Sequence, residues 1–129
     1  MPALNTDEFM EGKTVEYVKL ANGVEIPKIG YGVFQISKDD APRCVREAIE
    51  TGYRHIEAEV GQGIKDSGID RKDLFLTTKI WISNYGYENT LRSVDVSLKK
   101  LGTDYLDLVL LHQPFSDTYG AWRALEKLY

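Results

Sequence analysis

The stretch that decides the fold begins with the strand-like run Leu74-Phe75-Leu76-Thr77-Thr78-Lys79-Ile80 and ends with Tyr105-Leu106-Asp107-Leu108-Val109-Leu110-Leu111. Between these runs, residues 87–101 show the apolar spacing of a helix, and Gly102 follows as a C-terminal cap. The second run is nearly all apolar, which is typical of a parallel strand buried on both faces. Two strands joined by a crossover helix predict a parallel pair in an α/β fold.

The same alternation of strands and helices continues upstream. We predict, in chain order, a hairpin at 14–28, a strand at 29–32, a helix at 37–50, a strand at 53–56 and a weaker helix at 58–67. The hairpin turn falls at Asn22-Gly23, because these residues tolerate the positive φ angles of a tight turn. The first helix begins at Asp40, with Ser37 as the alternative cap.

Two further helices are predicted, at 58–67 and at 116–129. The helix at 58–67 contains Gly61 and Gly63, each of which costs about 1 kcal/mol relative to alanine inside a helix. Residues 116–129 predict a last helix with four apolar side chains on one side, Ala121, Trp122, Leu125 and Leu128. The predicted organisation is a polar arm at 1–13 and one α/β unit at 14–129, which contains the hairpin and about four βα units.

The composition excludes several classes of protein. The 129 residues are 43% apolar and carry a net charge of −4, which is too apolar for a disordered chain and too acidic for non-specific nucleic-acid binding. No apolar run approaches the roughly 20 residues of a membrane span, and the N-terminus lacks the pattern of a signal peptide. Cys44 is the one cysteine, and no CxxC or HExxH motif occurs. We expect a cytoplasmic protein without a metal site and without nucleic-acid or membrane partners.

Candidate functional residues follow the strands, because active residues of parallel α/β folds gather at the carboxyl ends of strands. Lys79 is a lysine that reaches solvent, a Schiff-base nucleophile, or a fixed positive charge beside a reacting group. His112 is a structural residue, a hydrogen-bond donor to a substrate carbonyl, or an acid or base. Trp81 lines an apolar pocket or packs against the next helix.

Six motifs occur in order along residues 15–129. They are Gly23-Val24-Glu25-Ile26-Pro27-Lys28-Ile29-Gly30-Tyr31-Gly32, Gly52-Tyr53-Arg54-His55-Ile56, Asp73-Leu74-Phe75-Leu76-Thr77-Thr78-Lys79-Ile80-Trp81, Ser97-Leu98-Lys99-Lys100-Leu101-Gly102, Asp104-Tyr105-Leu106-Asp107-Leu108-Val109-Leu110-Leu111-His112-Gln113-Pro114 and Trp122-Arg123-Ala124-Leu125-Glu126-Lys127-Leu128. Together they resemble the aldo-keto reductases, which are NADPH-dependent carbonyl reductases. The resemblance implies a partial (β/α)8 TIM barrel whose bottom is plugged by the N-terminal hairpin.

The resemblance also implies an activity and roles for six residues. The family transfers a hydride from NADPH to a small aldehyde or ketone, and a tyrosine donates the proton. Lys79 matches the family lysine that, with an aspartate partner, lowers the pKa of that tyrosine, and His112 matches the histidine that orients the carbonyl. Four further matches concern binding: the cofactor-binding residues Gly32 and Val33, and the substrate-pocket residues Phe34 and Trp81.

Two departures from the family pattern bear on activity. In the family, the second strand runs into the aspartate and then into a loop that carries the catalytic tyrosine. Here Ile56 is followed by Glu57-Ala58-Glu59-Val60-Gly61, which matches the start of the next helix. Glu57 is a candidate replacement for the aspartate, and no residue matches the tyrosine. The chain also holds about four βα units, whereas a full barrel has eight and takes about 250 residues.

The sequence therefore leaves two functions open. The first is an aldo-keto reductase by ancestry that is inactive as a chain of 129 residues. The second is a non-catalytic half-barrel that associates with itself or with another barrel through its exposed strand edges. The missing loop is either natural or an error of gene structure, and the transcript across the codons for Ile56 and Glu57 distinguishes the two.

Overall fold

A computed structural model describes residues 14–59 and 61–129. The polar arm predicted at 1–13 lies outside the described residues. The elements, in chain order, are β1 (Tyr17–Lys19), β2 (Glu25–Pro27), β3 (Gly30–Gly32), α1 (Ala41–Thr51), β4 (His55–Glu57), α2 (Gln62–Ser67), β5 (Phe75–Ile80), α3 (Tyr87–Leu101), β6 (Leu108–Leu111) and α4 (Thr118–Leu128).

A four-stranded parallel sheet forms the centre of the fold, in the order β3-β4-β5-β6. Helices α1, α2 and α3 connect successive strands of this sheet, as the alternation of the sequence predicts. Glu57 lies opposite Gly32 at the carboxyl end of β3 on one side and opposite Thr77 in the middle of β5 on the other. The predicted α/β fold, a partial barrel with a hairpin, is confirmed.

The hairpin pairs β1 and β2 in antiparallel register. The amide of Gly23 donates to the Leu20 carbonyl at 2.9 Å, and the amide of Leu20 donates to the Val24 carbonyl at 2.8 Å. Gly23 has a φ of 88°, whereas Asn22 is not among the residues with positive φ. The turn is therefore longer than predicted, and glycine alone takes the left-handed conformation in it.

The helices cover one face of the sheet and build the core there. Ile56 and Leu76 are fully buried against Val45 of α1 and form one cluster. Ile80 forms a second cluster with Val94 of α3 and with Ala121 of α4. Because side chains alternate along a strand, Glu57 and Lys79 lie on the opposite face of the sheet. The helical face holds the core, and the other face is available for a site.

Helix α2 is shorter than predicted and begins after Gly61. The Gly61 amide donates to the Lys100 carbonyl at 3.0 Å, and a methyl group at Gly61 would overlap the backbone of Leu101. A methyl group at Gly63 would overlap the Pro42 carbonyl. The prediction that Gly61 lies inside the helix is wrong, and both glycines permit close contact with neighbouring backbone.

Strand β6 differs from its prediction of burial on both faces. It is one of the two edge strands of the described sheet, and Leu110 is 39% exposed. The apolar sequence of this strand does not reveal that one of its faces lies uncovered.

The last helix also differs in the side that it buries. Ala121 and Ala124 of α4 are fully buried, whereas Trp122 and Leu128 are about half exposed. The predicted side of α4 was wrong at these two large residues, because the helix packs closely through its alanines.

The structure shows how the two candidate caps of α1, Asp40 and Ser37, are arranged. Asp40 occupies the N-cap position but makes no capping hydrogen bond with its side chain. The Ser37 hydroxyl instead accepts from the Asp40 amide at 3.1 Å and donates to the Asp40 carboxylate at 2.7 Å.

Among the described residues, no helix is both long enough and apolar enough to cross a membrane.

Candidate active site

A groove of about 370 Å³ lies at the carboxyl ends of the strands, beside the sheet face that the helices leave uncovered. Its lining includes five residues that the sequence predicts for the site, Val33, Phe34, Lys79, Trp81 and His112. Gly32, the sixth, ends β3 directly opposite Glu57, which also lines the groove. Residues spread over eighty positions of the sequence thus converge because parallel strands place their carboxyl ends at one edge.

An ion pair joins β4 and β5 in this groove. Lys79 Nζ lies 2.9 Å from Glu57 Oε1, with the two side chains 37% and 36% exposed. Glu57 is opposite Thr77 in the register, so Lys79 lies one row further along the same face. Glu57 is therefore the carboxylate partner of Lys79 in this structure. The sequence had suggested Glu57 as a candidate replacement for the family aspartate.

The rings of His112 and Trp81 contact one another at a tilted angle in the lining of the groove. Their ring centroids are 4.6 Å apart at an angle of 57°, and the His112 amide donates to the Ile80 carbonyl at 3.1 Å. The His112 side chain is exposed, which favours a role in the groove over the alternative of a structural residue. Trp81 is 47% exposed, which favours the pocket-wall interpretation over packing against the next helix.

The loop after β3 forms the apolar lip of the groove. The Val33 amide donates to the Glu57 carbonyl at 3.3 Å, and the Ile36 amide donates to the Val33 carbonyl at 3.0 Å. Gln35 turns the chain with a φ of 65°, and the Phe34 side chain is largely exposed. Gln35 was not predicted from the sequence, since a left-handed residue that is neither glycine nor asparagine leaves no signal there.

A second cross-strand contact lies beneath the ion pair. His55 Nε2 and Thr77 Oγ1 are 2.8 Å apart, and the His55 ring meets the Phe75 ring edge to face at 5.0 Å. A methyl group at Gly30 would lie 2.9 Å from His55 Nδ1, so glycine leaves the space that the imidazole fills. This layer closes the sheet face below the groove and fixes β4 against β5.

None of the described residues that line the groove is a tyrosine. Tyr85 is buried, and its hydroxyl donates to the Gln113 carbonyl at 2.6 Å. Tyr53 packs against Tyr31 on the side of the core, and Tyr87 begins α3. In the described part of the chain, no group of three or more His, Cys, Asp or Glu side chains is placed to hold a metal ion.

Comparison with known proteins decides the family. A family model described as the Aldo/keto reductase family matches residues 27–129. The chain belongs to this family. Glyoxal reductase of Bacillus subtilis is 49% identical over an alignment that covers 87% of this chain and 44% of that protein. Morphine 6-dehydrogenase of Pseudomonas putida is 45% identical, with coverage of 92% and 44%.

Solved aldo-keto reductases have the same fold. The crystal structure of the aldo/keto reductase from Brucella melitensis matches with a TM-score of 0.85 and 52% identity, over 89% of this chain and 49% of that one. The aldo-keto reductase of Bombyx mori, solved in complex with NADP, matches with a TM-score of 0.81 and 30% identity, over 90% and 47%. The chain thus spans about half the length of the aldo-keto reductases that it matches.

The alignments also contain positions that this chain lacks. The match to glyoxal reductase is 122 positions long, whereas 87% of the 129 residues is about 112. About ten positions of the relative therefore have no counterpart here.

Proposed function

We propose that this chain forms the N-terminal part of an NADPH-dependent aldo-keto reductase that reduces aldehydes or ketones. The observation that carries the proposal is the Lys79–Glu57 ion pair, at 2.9 Å, in one groove with His112 and Trp81. An ammonium group and an imidazole at the same mouth of a barrel suit a substrate whose oxygen gains negative charge. Membership of the family supports the same activity.

The groove fits the nicotinamide end of the cofactor. Val33, Phe34 and Trp81 give it an apolar wall for a flat ring, and Gly32 ends β3 without a side chain. Among the described lining residues, the lysines are Lys38 and Lys79, and Lys79 is already paired with Glu57. These residues therefore suit the nicotinamide end rather than the phosphates. The bound cofactor would supply a hydride to the carbonyl carbon.

The side chains of the groove have distinct roles in this proposal. An imidazole N–H of His112 donates to the carbonyl oxygen and orients it. Lys79 supplies positive charge near the oxygen as negative charge develops on it, and Glu57 holds the ammonium in place. Trp81 and Phe34 exclude water from one side of the substrate.

The reaction also needs a proton on the alcohol oxygen. The phenol that supplies this proton in the family has no counterpart among the described residues of the groove. We therefore propose that the polypeptide of 129 residues has no measurable reductase turnover. The proposal rests on the residues that follow Ile56, where the loop bearing the tyrosine is missing.

Oxidation of NADPH by the purified 129-residue protein tests this proposal, with glyoxal as substrate and with glyoxal reductase of Bacillus subtilis as the positive control. We expect a rate equal to that of buffer. Turnover that is lost in Lys79→Met, but kept in the matched surface variant Lys127→Met, would show that the groove is a complete active site. That outcome would overturn the proposed inactivity.

A second candidate is a non-catalytic half-barrel that pairs with a second copy of itself. The observation that favours it is the exposure of Leu110 on β6, an edge strand whose backbone groups face no neighbour within the described sheet. Sedimentation velocity distinguishes the two candidates. A concentration-dependent dimer supports pairing, and a folded monomer at all concentrations refutes it.

Two further interpretations of the sequence stay predictions. A Schiff-base role of Lys79 predicts that borohydride traps a carbonyl compound on this residue and not in Lys79→Met. The second interpretation, a cytoplasmic location, also stays a prediction.

A further inference from the structure

A second cavity, of about 300 Å³, opens beside the groove between the end of β5 and helix α3. We call it the α3 cleft and define it by its lining from α3, namely Asn89, Arg92, Ser93, Val96, Ser97 and Lys100. Four residues line both the cleft and the groove, Glu59, Thr78, Lys79 and Trp81. One ligand can therefore occupy both cavities, with Lys79 and Trp81 at the junction.

The residues that α3 contributes to the cleft share one face of the helix, because they recur at intervals of three and four. That face carries the basic side chains of Arg92 and Lys100, while Asp95 pairs with Lys99 at 2.6 Å outside the cleft. Glu59 is the one carboxylate among the described lining residues. A chain with a net charge of −4 thus places mainly basic and neutral polar groups in this cleft.

The donors of the cleft are largely uncommitted. Neither Arg92 nor Lys100 takes part in an ion pair with another residue in the described ranges. Arg92 donates to the Asn89 side chain, and this contact leaves its other N–H groups available. The Ser93 and Ser97 side chains are half-buried and line the same cleft. Guanidinium, ammonium and hydroxyl donors on one wall suit a carboxylate or a phosphate.

The short helix α2 begins close to the C-terminal end of α3 and contributes no residue to the described lining of the cleft. Helix α2 has six residues, whereas α3 has fifteen. The backbone of Gly61 contacts α3 only near its end, through the hydrogen bond to the Lys100 carbonyl. The loop that matches the family pattern would follow Ile56, close to Glu59. The side chains of Arg92 and Lys100 on α3 are exposed beside the groove.

We propose that the α3 cleft binds an anionic group, a carboxylate or a phosphate, and selects carbonyl compounds that bear one. The anionic group contacts Arg92 and Lys100, while the carbonyl lies beside His112 in the groove. The selection of substrates rests on the proposed reductase function, whereas the binding of the anion to the cleft does not.

The first experiment titrates inorganic phosphate against the full chain at low ionic strength, where exposed charges are screened least. Trp81 fluorescence reports binding in a Trp122→Phe background, since Trp81 lines the cleft and Trp122 lies on α4. The test variant combines Arg92→Gln with Lys100→Gln. Its control combines Lys99→Gln with Lys127→Gln, which removes the same charge outside the cleft.

We expect the test variant to bind phosphate about tenfold more weakly, as two charge-assisted contacts are lost, and the control to bind within about twofold of the parent. Circular dichroism verifies that both are folded. Equal weakening in the two variants, or no phosphate response in the parent, overturns the cleft as an anion site.

The second experiment compares succinic semialdehyde with butanal, two aldehydes of equal chain length with and without a carboxylate. We expect the parent protein to bind succinic semialdehyde about tenfold more tightly than butanal, and we expect the test variant to lose this preference. Equal binding of both aldehydes by the parent overturns the selection. If neither aldehyde perturbs Trp81 while phosphate still depends on Arg92 and Lys100, the reductase function fails and the anion site stands.

Discussion

The two faces of the parallel sheet are built from the same strands and serve different purposes. On the face toward the helices, Leu76 of β5 is fully buried in a core cluster. Three residues later on the other face, Lys79 is partly exposed and paired with Glu57. The alternation of side chains along a strand makes this separation possible. Stability can thus be concentrated on one face, while the other holds polar groups that a well-packed core would exclude.

The same contrast applies to the glycines. On the helical side, Gly61 and Gly63 lie where a methyl group would overlap neighbouring backbone. At the carboxyl end of β3, the nearest atom to a methyl group on Gly32 is Glu57 Cβ at 3.8 Å, which is ordinary contact. The helical side tolerates no added atom at Gly61 and Gly63, whereas the open face tolerates one at Gly32.

The largest effect is expected for Leu76→Ala. This change leaves a cavity in the closed core and should lower the free energy of unfolding by about 3 kcal/mol. Leu110→Ala is the matched change on the open face, where the side chain is 39% exposed, and it should cost about 1 kcal/mol. Urea denaturation of both variants measures the difference. Equal losses would show that the two faces contribute alike.

A smaller effect is expected for Gly63→Ala. Helix propensity alone predicts a gain of about 1 kcal/mol from this substitution. The overlap with Pro42 and with Val45 Cβ, at 2.8 Å from the added methyl group, instead predicts a loss of about 2 kcal/mol. Gly32→Ala is the control, with a change of less than about 0.5 kcal/mol expected. A stabilised Gly63→Ala variant would refute the close packing of α1 against α2.

A pH-dependent effect is expected at Tyr31, which packs against the core cluster. Burial, and then the neighbouring Cys44 thiol, raise the pKa of Tyr31 above its ordinary value of 10. The unfolded chain therefore loses this proton at a lower pH than the folded chain. Stability should fall as the pH rises from about 10 through the raised pKa.

Tyr31→Phe should reduce this alkaline loss of stability, as measured by urea denaturation at a series of pH values. Tyr119→Phe, a change at an exposed tyrosine, should keep the dependence of the parent protein. An unchanged pH profile in Tyr31→Phe would contradict the burial of the phenol.

Features that depend on neighbouring residues in the sequence were predicted more accurately than features that depend on distant ones. The bounds of α3 were predicted at both ends, because its apolar repeat and Gly102 lie within the helix itself. The exposed Leu110 and the half-exposed Trp122 were not predicted, since burial depends on which elements cover a strand or helix. The requirement for glycine at position 63 depends on Pro42, which lies far away in sequence.

The site shows the same division. Lys79 and His112 could be proposed because each follows a strand, and the parallel topology then places them in one groove. The sequence did not decide whether Lys79 has a carboxylate partner, because the family aspartate is missing and Glu57 was only a candidate. The strand register places Glu57 beside Lys79. The tilted contact between the Trp81 and His112 rings and the α3 cleft arise from packing between segments, which the sequence does not encode locally.

The free energy of unfolding of Lys79→Met tests the central claim most directly, that the open face carries the chemistry and the helical face the stability. The Lys79–Glu57 pair is more than a third exposed on both sides, so screening by solvent leaves it a small contribution. We predict a change of less than about 0.5 kcal/mol in urea denaturation. A loss near the roughly 3 kcal/mol expected for Leu76→Ala would show that the ion pair holds the sheet together and would contradict the claim.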